Sequence, residues 1–109
     1  RLPFSPMAIE ELKELEENIL EMLDYTIVTL KKRDPNSIVK IKKLENKIDE
    51  LSEKFQQNHL DRLNKGLCNI DSGVIYIDII GHLERIADHI YKIGMYTKDE
   101  LFGEKRKYN

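Results

Sequence analysis

The segment from Asn69 to Tyr96, NIDSGVIYIDIIGHLERIADHIYKIGMY, constrains the rest of the chain more than any other stretch. Wound at about 3.6 residues per turn, it gathers Tyr76, Ile79, Ile80, Leu83, Ile86, Ala87, Ile90 and Gly94 on one side, with Ile75 and Ile93 at the margin. An apolar arc over roughly half the circumference of a helix cannot be covered by one neighbour, so it demands helices on two sides. The remaining strip, Asp78, His82, Arg85, His89 and Lys92, is polar, and Glu84 and Asp88 fall on the border between the two surfaces.

The required neighbours precede it. Ser5-Pro6 is a helix start, with serine as N-cap and proline at the first helical position, where its missing N–H removes no bond. Ile9, Leu12, Leu15, Ile19, Met22, Leu23, Thr26 and Leu30 then recur at spacings of three and four, while Glu10, Glu11, Glu14, Glu17 and Glu21 are assigned mainly to solvent. Lys31-Lys32-Arg33 ends this segment, where cations offset the carbonyl dipole. Asp34-Pro35 repeats the cap-and-proline signal at once, so the second helix turns back antiparallel, carrying Ile41, Leu44, Ile48, Leu51, Phe55, His59 and Leu63 on one stripe. Gly66 stops it and Asn69 caps the third. The expectation is an all-α, antiparallel up-down-up three-helix bundle, with helices near 6–32, 35–65 and 70–96 and a frayed tail over 97–109 that ends in the basic Lys105-Arg106-Lys107.

Composition agrees and excludes several classes. With 109 residues the chain fits one domain, 1–109. Charged residues make up 35% and tryptophan is absent, which disfavours a β-sandwich. A formal charge of -2 gives no overall attraction to phosphate backbones, so no nucleic-acid partner is expected. Cys68 is the one cysteine and has no intrachain partner, and no apolar run is long enough to span a membrane. The opening Arg1-Leu2-Pro3-Phe4 reads as the processed end of a longer polypeptide.

Chemistry concentrates in two acidic pairs, Glu45/Asp49 and Glu84/Asp88, each separated by one helical turn. Like charges at this spacing cost a few tenths of a kcal/mol in an isolated helix, so helix propensity does not account for them. If the second and third helices are antiparallel, facing residues have numbers adding to about 135 at a rise of roughly 1.5 Å per residue, and both cross-helix combinations satisfy this. The four carboxylates are therefore expected at one height, flanking the apolar stripes. Two readings remain open: a carboxylate site for a hard or borderline cation such as iron, zinc, manganese or magnesium, or a salt-bridge lattice in which Lys47, Arg62, Arg85 or Lys92 neutralises the acids.

His59 falls on the second helix's core stripe at the level of Tyr76 and is expected to be a hydrogen-bonded structural histidine. His82, with Asp78, faces away from the acids. Without Glu-x-x-His, His-Glu-x-x-His or a serine or cysteine with an evident base, the chain is not expected to be an enzyme.

Residues His59-Leu60-Asp61-Arg62-Leu63-Asn64-Lys65-Gly66-Leu67-Cys68, then Gly73, Tyr76 and Asp78, then Leu83-Glu84-Arg85-Ile86-Ala87-Asp88-His89, together resemble the PhoU-like domain at the C-terminal end of bacterial and archaeal sodium/phosphate cotransporters. The resemblance spans most of the chain. It implies a three-helix bundle whose Glu/Asp-x-x-x-Asp motifs can hold multinuclear iron or zinc at its surface, with Glu45 and Asp49 matching one motif and Glu84 and Asp88 the other. It further implies a regulatory or accessory role in phosphate uptake on the cytoplasmic side of the cell membrane, with the transporter's own membrane domain as partner. PhoU proper has two such bundles where this chain has one. The alternative is a helical association module without metal, its acidic pairs salt-bridged. In either case Ile75, Ile86 and Ile93 lie toward an edge that two helices do not cover, so a homo-oligomer, or a further helix in a longer chain, is expected.

Overall fold

The structure is a computed structural model that describes residues 4–103. Leu2-Pro3 and the basic Lys105-Arg106-Lys107 lie outside the described residues. Three helices follow one another, α1 (Pro6–Lys32), α2 (Pro35–Asn64) and α3 (Ile70–Leu101), and each packs on both others, with no strand among the described residues. The expected up-down-up bundle is what forms.

Local chemistry places the boundaries. Ser5 accepts the backbone N–H of Ala8 at 3.1 Å, Asp34 that of Asn36 at 2.9 Å and Asn69 that of Ser72 at 2.8 Å, so each helix start has a side-chain acceptor. Pro6 and Pro35 occupy the first turns. The end of α2 is a Schellman motif: Leu67 N–H reaches back to the Arg62 carbonyl at 2.9 Å and Gly66 N–H to that of Leu63 at 3.1 Å. That closure needs a left-handed residue, which Gly66 supplies at φ 69°. Arg33 makes the α1–α2 reversal at φ 52°, and behind it the hydroxyls of Thr29 and Ser37 bond to each other across the corner.

The core runs through Leu15, Ile19 and Met22 of α1, Ile38, Ile41, Leu44, Ile48 and Phe55 of α2, and Tyr76, Ile80, Ala87 and Ile90 of α3. Two sequence expectations are corrected. On α1 the buried stripe is Ala8, Glu11, Leu15, Asn18, Ile19, Met22, Thr26 and Thr29, so Glu11 faces inward, while Ile9, Leu23 and Leu30 lie on an exposed flank. Hydrophobicity alone had rotated the stripe toward that flank. The tail expected to fray from Thr97 is instead helical to Leu101, because nothing before Gly103 breaks it. Thr97 is buried and its hydroxyl donates to the Ile93 carbonyl at 2.8 Å. Gly94 lies on the buried side, as expected. It is a packing residue, since a Cβ there would stand 3.3 Å from Ile41 Cδ1 and 3.5 Å from Thr26 Oγ1.

Leu15 is wholly buried where all three helices meet. Leu15→Ala should lower the unfolding free energy by about 2–5 kcal/mol, read by urea denaturation followed by circular dichroism, whereas Leu60→Ala, on the exposed side of α2, should change it by under about 1 kcal/mol.

Candidate functional site

Two polar assemblies are built into this bundle. One joins all three helices near the start of α1. Glu11 is buried and accepts four hydrogen bonds: Arg62 Nη2 at 2.7 Å and the Tyr76 hydroxyl at 2.6 Å on Oε1, Asn58 Nδ2 at 2.9 Å and Arg62 Nη1 at 3.3 Å on Oε2. Burial by itself raises its pKa, but the bonds from Arg62, Tyr76 and Asn58 outweigh that and hold Glu11 below the usual carboxylate value. The same bond holds Arg62 up, and burial together with the bond to Glu11 pushes the Tyr76 hydroxyl up. All three groups stay in their ordinary ionisation states at neutral pH.

His59 completes the assembly. Its ring stacks on Tyr76 at 4.3 Å, and its Nδ1 lies 3.0 Å from Arg62 Nη2. Because a guanidinium can only donate, Nδ1 must accept, so the ring proton is on Nε2, which faces Cys68 Sγ at 3.8 Å. Burial, then the Arg62 charge, lowers the His59 pKa and keeps the ring neutral. The structural role expected for His59 is therefore what its contacts show. Arg62, a candidate counter-ion for the acidic pairs, is instead committed to Glu11. The sequence did carry a signal for Glu11: it stands one turn before Leu15 and one after Ala8, in phase with the true buried stripe.

The second assembly lies about two turns further along α3, in the groove between α2 and α3. Glu45 and Glu84 are half-buried, Asp49 and Asp88 exposed. Charges of these acids act from one helix on the other. Burial, followed by the negative charges of Asp49 and Asp88, raises Glu45 to about 7, and burial with the charge of Asp49 raises Glu84. Each helix thus carries a carboxyl that responds to an acid on the other. Gln56 Nε2 donates to Glu84 Oε1 at 3.1 Å, and Lys92 pairs with Asp88 at 2.9 Å across solvent-exposed side chains. Glu45 Oε2 is buried and has no hydrogen-bond partner. A protonated Glu45 can share its proton with Asp49 one turn on. Of the other cations weighed as neutralising groups, Lys47 borders a trough along α1, and Arg85 donates to His82 Nδ1 at 2.6 Å. That trough is also lined by Glu10, Glu14, Glu17 and Glu21, but Lys13 and Lys47 are interleaved among them and it contains no unpartnered buried carboxylate oxygen. Among the described residues, no three histidine, cysteine or acidic side chains are drawn together tightly enough to ligate one ion.

The chain matches the PhoU domain over residues 12–97. A phosphate-specific transport system accessory protein PhoU homolog from Borreliella burgdorferi is 29% identical over 102 residues, which cover 94% of this chain and 46% of that protein. The chain thus spans less than half the length of the curated relative it matches. No solved structure gives a significant match.

The two raised and lowered carboxyls predict opposite slopes in stability against pH. Glu45, raised from 4.5 to about 7, binds more protons folded than unfolded, so its contribution is full below about 4.5 and is lost as pH rises through about 7. Glu11, held below 4.5, contributes above 4.5 and loses that contribution as pH falls through its folded pKa. Chemical denaturation at stepped pH should show Glu45→Gln flattening the decline between about 4.5 and about 7, and Glu11→Gln reducing the acid-side loss. Glu11→Ala, which strands the buried Arg62 charge, should cost about 3–5 kcal/mol at neutral pH.

Proposed function

The chain belongs to the PhoU domain family, and we propose that it serves as a regulatory or accessory domain in phosphate transport, acting through a metal held by Glu45, Asp49, Glu84 and Asp88. The relative's printed role as a transport-system accessory protein supports the first half of this reading. The observation that carries the second is the buried, unpartnered Glu45 Oε2, on a carboxyl whose proton affinity is raised by acids of both helices, as that of Glu84 is raised by Asp49. Carboxylates that repel across a groove are relieved by a cation, and an all-oxygen donor set suits hard or borderline ions such as iron, manganese, magnesium or zinc. The donor chemistry of the four residues suits such an ion, and their side chains would have to draw together to ligate it. Glu45 and Asp49 would bind from α2 and Glu84 and Asp88 from α3, with Asp88 exchanging Lys92 for the metal. A bound ion would supply positive charge and a bridge between α2 and α3. Because the ligands must be deprotonated, binding competes with protons and weakens on acidification.

The parent system we propose is a sodium/phosphate cotransporter, with this domain on the cytoplasmic side of the cell membrane and the transporter's own membrane domain as its partner. No described helix is long and apolar enough to cross a membrane, so any membrane-spanning part would be carried by other residues. The role is read as regulatory rather than enzymatic. A second reading, an association module whose acids are salt-bridged, is favoured by the Lys92–Asp88 pair.

Elemental analysis of protein purified without chelator separates the two. The metal reading expects iron, zinc or manganese in the native chain, its loss in a Glu84→Ala, Asp88→Ala variant that keeps the native helical spectrum, and weaker rebinding as pH falls from about 7 toward 5. Native protein that neither retains nor takes up metal leaves the association reading.

A further inference from the structure

The net charge of -2 conceals a segregation of charge along the bundle. From Glu10 to Asp24, α1 carries seven acids and Lys13 as its one cation. Across the α1–α2 corner the balance inverts: residues 31–43 hold Lys31, Lys32, Arg33, Lys40, Lys42 and Lys43 against Asp34 alone. All six cations are exposed, and among the described residues none of them is in an ion pair. Asp34 is occupied in capping α2. Glu11 meets Tyr76 and Thr26 lies against Gly94, so α3 runs parallel to α1 and ends beside this corner, adding Lys98 against Asp99 and Glu100. The described residues of this end remain positive in balance.

Helix chemistry accounts for only part of this. Lys31 and Lys32 close α1, where cations offset the carbonyl dipole. Lys40, Lys42 and Lys43 lie instead in the first half of α2, toward the positive end of its dipole, and the first turn of that helix holds no acid to offset them. Lys40 is held in place over the ring of Tyr25, 5.0 Å from its centre and 3.3 Å from its hydroxyl. Ile41 and Leu44 turn inward, which leaves Lys42 and Lys43 directed to solvent. Apolar side chains accompany the cations. Leu30 of α1, Val39 of α2 and Phe102, just past α3, are 55%, 51% and 38% exposed at this same end.

We propose that this end of the bundle docks on an anionic lipid surface, tilted onto the first turns of α2, with the six cations among the headgroups and Leu30, Val39 and Phe102 at the boundary with the acyl chains. Two observations favour lipid over a nucleic acid. A phosphate polymer would meet the cations and leave the apolar side chains in water, whereas a bilayer interface accepts both. Five of the six cations are lysines, point charges suited to a diffuse layer of headgroups, where reading of a phosphate backbone favours the arginine fork. The acids of α1 do not oppose the contact. They lie from about 14 Å to about 35 Å back along the helix from Arg33, and charges beyond roughly 8 Å are largely screened at physiological salt. The proposal deepens the membrane-side reading by naming which end of the domain faces the bilayer and what it meets there. The two fail separately, since a domain held only by a transporter would stay off bare lipid, and none of Glu45, Asp49, Glu84 or Asp88 takes part.

Cosedimentation of the 109-residue chain with vesicles of phosphatidylglycerol and phosphatidylcholine in equal parts, at about 0.1 M salt, tests it. The chain should bind these vesicles, should not bind vesicles of phosphatidylcholine alone, and should be released progressively by added salt. Lys42→Glu with Lys43→Glu should weaken binding by more than about tenfold with helicity by circular dichroism unchanged. Lys54→Glu with Lys65→Glu, the same change of net charge at exposed positions further along α2, should weaken it by less than about threefold. Lys31→Glu with Lys32→Glu serves in place of a variant that does not fold, and Val39→Ser should weaken binding without altering its dependence on salt. A chain that ignores anionic vesicles, binds both kinds equally, or loses binding equally in the two double variants overturns the proposal. So does a chain that binds a DNA duplex at least as tightly per phosphate as it binds the vesicles.

Discussion

The buried Glu11–Arg62 ion pair is the contact on which the geometry of the bundle depends, because it is where α1, α2 and α3 are joined by directional bonds rather than by packing alone. Side chains of both partners are over nine-tenths buried, and neither charge would tolerate that environment unpaired. Glu11 is satisfied by Arg62, Asn58 and Tyr76 together, and His59 is wedged between Arg62 and the face of Tyr76. Apolar surfaces can slide by a residue at small cost. A carboxylate with four donors cannot, so the assembly fixes the relative height of the helices. It also sets the height at which Glu45 and Asp49 of α2 stand relative to Glu84 and Asp88 of α3. The candidate site is thus positioned by chemistry that lies two turns away and does not touch it.

The two polar assemblies are opposites. Around Glu11 every acid oxygen is matched by a donor, so the carboxyl is held ionised and inert. Around Glu45 the neighbours are other acids, one buried oxygen has no donor at all, and the carboxyl is pushed toward neutrality. Stability accounts for the first arrangement and not for the second, and the proposed metal reading rests on that contrast. The same contrast separates the α2/α3 groove from the acid row of α1, where Lys13 and Lys47 stand among the glutamates.

Most of the fold was legible because its determinants are local. Ser5-Pro6, Asp34-Pro35, Gly66 and Asn69 act on the few residues around them, and the short connections they enforce leave an antiparallel bundle as the outcome. The expectation that the acidic pairs share one height came from the same turns by counting. Glu11 was not legible on the same terms: average behaviour sends a glutamate to solvent, and the residue that reverses this, Arg62, is 51 positions away. Its phase with Ala8 and Leu15 was visible, but the larger hydrophobics Ile9, Leu23 and Leu30 pulled the expected stripe toward the flank that is exposed here. The helical continuation past Thr97 was missed because the apolar pattern fades into the polar run Thr97-Lys98-Asp99-Glu100, which the helix nonetheless includes.

The central claim is that the groove between α2 and α3, and not the more acidic outer row of α1, is where this domain binds. Manganese titrated into isotope-labelled, metal-free protein tests it directly, because the ion broadens the resonances of nuclei near it. The account predicts saturable broadening that appears together around Glu45 and Asp49 on α2 and around Glu84 and Asp88 on α3, with α1 left sharp. Broadening confined to Glu10, Glu14, Glu17 and Glu21, or weak and unsaturable broadening over every exposed acid, would contradict it.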